Sequence, residues 1–190
     1  MASVTPATSS TKETTNYARL CRVLVDVGTC ALRDCFDAIY TPQSLHTFLA
    51  ASQPTLQSLR SSRSRVINAT HWGKLFPSVP ASVSSRDFDI TLLMIVLRNI
   101  CGLAPPLTGW DALPAATDVS LEADIARVKY FRNTVYAHAE HASVDDATFH
   151  RHWKEIRDTL VRLGGVKYKV KHFSFLLFSV ILPSCIKCLC

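Results

Sequence analysis

Leu20, Val23, Leu24, Val27, Ala31 and Leu32 recur three or four positions apart, with Arg22, Asp26 and Arg33 between them. That spacing lines one face of a helix, so an amphipathic helix is predicted from Asn16 to about Ile39. Helical periodicity returns in the later segments, and none alternates convincingly as a strand. The predicted fold is an all-α bundle.

Thr41-Pro42 offers a hydroxyl cap and a first-turn proline for the next helix, with Leu45, Phe48 and Leu49 inward and Pro54 as its break. "HWGKLFPSVP" reads as a loop that tucks in Trp72 and Phe76. "FDITLLMIVLRNI" is apolar almost all round, which predicts the most buried helix, capped by Ser85 or Asp87 and ended by Cys101-Gly102. The stretch from Leu103 to Ser120 is too long for a plain turn, and Trp110 and Leu113 are its predicted anchors. Ser120 caps a fourth helix with Glu122 and Asp124 in its first turn and Leu121, Ile125, Val128 and Val135 inward. Ser143 and Asp146 resemble a capping box for a fifth, whose stripe is Phe149, Trp153, Ile156, Leu160 and Leu163 before Gly164-Gly165.

At 190 residues the expectation is one domain with tails: a disordered Ser/Thr-rich leader over 1–15, a helical domain over 16–165, and a tail over 166–190. The 48% hydrophobic content is enough for a core and argues against a disordered chain. The net charge of +6 permits an acidic partner such as RNA or anionic lipid without identifying one. "MASVTPATSSTKETT" has no apolar export region, so a cytoplasmic location and mostly reduced cysteines are expected, with Cys21, Cys30, Cys35 and Cys101 as small hydrophobes. The tail, "VKYKVKHFSFLLFSVILPSCIKCLC", has three readings: a membrane-touching or acylated end, a last element on the bundle, or sequence foreign to the domain, with slight preference for the last.

"FRNTVYAHAEH", residues 131–141, places Arg132, Asn133 and His138 inside a helical pattern. Metal-independent RNA cleavage needs a group that moves protons near neutrality, which suits histidine, and a permanent cation for the phosphate, which suits arginine. Asparagine can orient either. Arg132 and His138 lie six positions apart, about 120° around a regular helix, so one helix does not converge them. A second copy about a two-fold axis could bring both sets into one cleft, so a real site here needs a dimer.

Arg132-Asn133-Thr134-Val135-Tyr136-Ala137-His138 matches the R-N-x-x-x-x-H motif of the HEPN superfamily. With "DFDITLLMIVLRNICGLAPPLTGWDALP" and "DVSLEADIARVKYFRNTVYAHAE" around it, the chain resembles the HEPN domain associated with the DAZ-interacting, RING-type ubiquitin ligase. The resemblance covers roughly residues 15–165. It implies a bundle of four to five helices, a dimer through the motif helix, and either endoribonuclease activity or an RNA-binding or protein-docking role. Carried over, the catalytic residues are Arg132, Asn133 and His138. Ligase activity is not carried over, because no cysteine/histidine series of RING type is present.

The plainer reading makes Arg132 and His138 a solvated helix face. Tyr136 shares the face of Arg132 and reads best as packing. Arg60, Arg63 and Arg65 suit a phosphate backbone, and a solvated loop accounts for them equally well. His138, His141, His150 and His152 lack a completing acid or cysteine, so no metal and no cofactor is expected. Two functions therefore stand. One is a dimeric, metal-independent endoribonuclease or RNA-binding module in defence or signalling. The other is a non-catalytic interaction module of a larger, ubiquitin-ligase-related architecture, with protein partners.

Overall fold

The structure, a computed structural model, describes residues 11–63, 65–137, 140–165 and 168. Every regular element among them is helical. The first long rod is α1, Lys12–Arg22, which continues through a π-helical stretch, Val23–Gly28, into α2, Thr29–Ile39. Leu20, Val23, Leu24, Val27, Ala31, Leu32 and Phe36 keep its inner face buried throughout. The rod starts four residues before the predicted Asn16, inside the expected leader. Thr11 is the reason: its hydroxyl accepts from the Thr14 amide at 3.2 Å, and Ser/Thr-rich composition had hidden that cap.

Short helices follow. A 3₁₀ turn, Pro42–Ser44, leads into α3, Leu45–Ala51, and then α4, Gln53–Ser61. Thr41 bonds the Ser44 hydroxyl at 3.1 Å and does not cap a backbone amide by its side chain. Pro54 opens α4 where the sequence reading had it end a helix, since first-turn positions need no N–H donor. The predicted loop around Trp72 is α5, Ala69–Leu75, capped by Asn68, whose side-chain oxygen accepts from the His71 amide at 2.8 Å. Together with α4 it raises the helical bodies among the described residues to seven, counting the α1–α2 rod once, where four to five were predicted.

Helix α6, Ile90–Ile100, is buried on most of its circumference, as its sequence predicted. Asp89 caps it by accepting from the Leu92 amide at 2.9 Å; Ser85 and Asp87 form a 3₁₀ turn just upstream instead. Gly102, at φ +71°, turns the chain out beyond α6. In the connection that follows, Pro106 and Pro114 are buried and Trp110 is half-buried, while the predicted anchor Leu113 is exposed.

Helix α7, Leu121–Ala137, is capped by Ser120, as predicted. Its core side carries Ile125, Val128, Phe131 and Val135, and Leu121 is exposed. Helix α8, Asp146–Gly164, packs along α7 and across the rod through Phe149, Trp153, Ile156 and Leu160. Its cap is Asp145, which accepts from Thr148 at 2.9 Å, in place of the expected Ser143–Asp146 box. Gly165, at φ +69°, ends it. Tyr168, assigned from sequence to the tail, is buried, and its hydroxyl donates to Asp34 at 2.7 Å. A Cβ on Gly164 would meet the Tyr168 ring at 1.9 Å, so this close approach requires glycine. The remainder of the expected tail lies outside the described residues.

The rod fixes the region beyond the motif helix. Asn16, buried in α1, donates to the Val144 carbonyl at 3.2 Å and to Asp146 at 2.9 Å. Lys12 pairs with Asp146, and the Val144 amide donates to the Glu13 carbonyl at 3.1 Å. Cys21, Cys35 and Cys101 form no disulfide. No helix among the described residues is long and apolar enough to cross a membrane.

Candidate functional site

Two arginines on α7 are held in opposite ways. Arg127 is 2% exposed. It donates to Asp124 at 2.7 Å and to the carbonyls of Ala115 and Asp118 at 2.5 and 2.6 Å. Arg162 of α8 closes the network with two bonds to Asp124, at 2.7 and 2.6 Å. Those bonds push the Arg162 guanidinium pKa up further. The sequence reading put Asp124 in the first turn as a dipole partner. The structure buries it as the acid of a three-residue network that pins the long connection to α7.

Arg132 lies at the edge of the core. Its guanidinium donates to Thr91 of α6 at 3.0 Å and to Asn133 at 3.1 Å, and it stands 5.0 Å over the ring of Tyr136. Its Nε is buried without a hydrogen-bond partner among the described residues. Lys129, Arg132, Asn133 and Tyr136 follow one another at helical spacing, so one side of α7 presents them together. The predicted pair Arg132 and Asn133 is therefore in direct contact. His138 lies outside the described residues.

Arg132 lines a cavity of about 440 Å³ between α6 and α7. Thr91, Arg98 and Lys129 share its wall, with Leu59, Val66, Met94 and Ile95 on the apolar side. A smaller cleft of about 290 Å³ adjoins it across Lys129 and is lined by Asp111, Tyr130, Asn133 and Thr134. Asp111 pairs with Lys129 and lies 3.7 Å from Arg98, whose guanidinium sits 5.6 Å from the centre of the Trp110 ring. The Lys129 ammonium holds the Asp111 carboxyl below the usual carboxylate range, and Arg98 adds to this.

The sequence reading does not single out Lys129 or Asp111. Lys129 was legible from its spacing to Arg132 and Asn133. Asp111 was not, because its place depends on the path of the long connection. Among the other predicted phosphate contacts, Arg60 stacks on Trp72 at 4.7 Å, a held position on α4 in place of a loop cation. Arg63 and Arg65 are exposed, and Arg65 turns the backbone at φ +42°. Val66, next to Arg65, lines the larger cavity, which places this end of the loop at its rim.

Tyr17 of α1 bonds Cys21, and this bond first, then burial, raises its phenol to about 12; it stays protonated at neutral pH. His141 and His150 are exposed, and His152 packs on Phe131 at 5.4 Å. Among the described residues no group of three His, Cys, Asp or Glu side chains is arranged to hold a metal ion.

The family comparison places this all-α bundle among HEPN domains. Residues 42–176 match the family described as DZIP3/hRUL138-like HEPN, and the chain belongs to that family. It is 25% identical over 150 residues to the E3 ubiquitin-protein ligase DZIP3 of Homo sapiens, and equally to that of Mus musculus. The match covers 78% of this chain and 12% of each ligase, so the chain corresponds to a small part of those proteins. No solved structure matches it.

Proposed function

We propose that this HEPN domain binds single-stranded RNA across α7 and, as a homodimer, cleaves it without a metal ion. The observation that carries the reading is Arg132: a half-exposed guanidinium that lines a cavity and is braced by Thr91 and Asn133. A phosphate oxygen pairs with such a guanidinium through charge-assisted bonds. In the chemistry proposed, His138 takes the proton of the ribose 2′-hydroxyl. The 2′-oxygen attacks phosphorus and the bond from phosphorus to the 5′-oxygen breaks. The leaving oxygen takes a proton from the histidine of the paired copy. The products are a 2′,3′-cyclic phosphate and a 5′-hydroxyl, so no water or metal enters the step. Arg132 stabilises the charge on the phosphorane, and Asn133 keeps the guanidinium in place.

The test is RNA cleavage in EDTA by the full chain, beside His138→Ala and Arg132→Ala, each checked for folding and dimer state. Cleavage with cyclic-phosphate ends that both substitutions abolish is the expected result. A folded dimer that cleaves none of a varied set of RNAs leaves the second reading, a docking module in a ligase-related architecture.

A further inference from the structure

Three cations, Arg98, Lys129 and Arg132, line the larger cavity, and the acid in contact with that set is Asp111. The carboxylate reaches the cations from the long connection, beyond Gly109, whose φ is +74°. It is 77% exposed. Lys129 is the residue shared by the cavity and the cleft that holds Asn133, so the Asp111–Lys129 pair stands at the junction of the two. Arg98, like Arg132, has a buried Nε without a partner among the described residues. One carboxylate thus stands against two of the three clustered cations. Exposed ion pairs contribute only about 0–1 kcal/mol, so a ligand can displace this one readily.

We propose that Arg98 and Lys129 form a second phosphate-binding position beside Arg132, and that Asp111 is a built-in plug that an incoming RNA phosphate must displace. This rests on the RNA reading above and adds to it both a path and a restraint. The strand runs from Arg132 over Lys129 toward Asn133. Its sugar and base lie against the apolar wall of Leu59, Val66, Met94 and Ile95. Until it arrives, Asp111 neutralises the cations that would hold it, which favours polyanions able to engage several cations at once over single phosphates.

The probe is a fluorescent ten-nucleotide oligouridylate, 2′-O-methylated so that it lacks the attacking hydroxyl. Its binding to the full chain is measured against salt concentration. Asp111→Asn is expected to tighten binding about 3–10-fold at low salt. It should also steepen the fall of log K with log salt by about 0.7 for each cation freed to meet a phosphate. Adding Arg98→Gln and Lys129→Gln to that variant should cancel both gains. Asp158→Asn, the same charge change on α8, should produce neither. Unchanged affinity and slope in Asp111→Asn, while Arg132→Ala weakens binding, would overturn the plug and leave the RNA reading standing. An equal gain from Asp158→Asn would overturn it as a net-charge effect. Failure of every form to bind would overturn both proposals.

Discussion

Arg127 and Arg132 lie five positions apart on the same helix, and their surroundings assign them opposite work. Arg127 is buried, and an acid and two carbonyls accept its bonds. Arg132 is half-exposed, faces a cavity, and keeps one N–H without a partner among the described residues. A buried cation must be paired to be tolerated. A half-exposed cation that lines a cavity can bind something else. Arginine content on α7 therefore says little about function, and the inventory of partners around each guanidinium says much more.

The largest expected effect comes from Arg127→Leu. Asp124 keeps Arg162, but the Ala115 and Asp118 carbonyls lose their donor. Breaking a buried pair of this kind costs about 3–5 kcal/mol. Urea unfolding of the full chain should show a loss of that size. A cost under about 1 kcal/mol would break the comparison, because Arg127 would then be no more structural than Arg132.

Arg132→Leu sharpens the same contrast from the other side. Its bonds to Thr91 and Asn133 are each worth about 0.5–1.5 kcal/mol at most, and its half-exposed position discounts them further. Stability should fall by about 1 kcal/mol, while binding of the oligouridylate should weaken at least tenfold. A stability loss equal to that of Arg127→Leu, with binding intact, would make both arginines structural.

The same contrast explains what the sequence disclosed. Long apolar periodicities announced the rod, α6, α7 and α8, because core faces are written in local spacing. The Arg132–Asn133 pair was legible as a motif, and its surroundings made the family recognisable. The role of Arg127 was not legible, since two of its acceptors are backbone carbonyls of a loop whose path no local pattern specifies. Asp111 was hidden for the same reason. Pro54 was misread because a proline after a helix has a second use, as a first-turn residue. Leu113 and Leu121 were expected inward by hydrophobicity alone, and the buried Pro106 and Pro114 do the anchoring instead.

A conservative swap separates charge from geometry. Lysine keeps the charge but lacks the planar fork. Arg127→Lys cannot reach Asp124 and both carbonyls together, so at least one buried acceptor loses its partner, at about 1–3 kcal/mol. Arg132→Lys should change stability little and preserve the salt dependence of RNA binding, while lowering affinity a few-fold. Equal outcomes at both positions would show that neither site uses the fork.

The smallest effect expected is an absence of pH dependence, and it bears on the groove beside Arg132. The Asp111 carboxyl is held below its usual range, first by its bond to Lys129. A carboxyl with a depressed folded pKa contributes stability above its unfolded value, about 3.9, and loses it as pH falls through the lower folded value. Between pH 5 and 8 the plug is therefore fully charged. The ratio of RNA affinities for Asp111→Asn and the unmodified chain should be flat across that range, even if both affinities change. A ratio that shifts with a midpoint near pH 6.5 would show that an imidazole controls the cation cluster, since histidine ordinarily titrates there. The restraint on the groove would then belong to a histidine and not to Asp111.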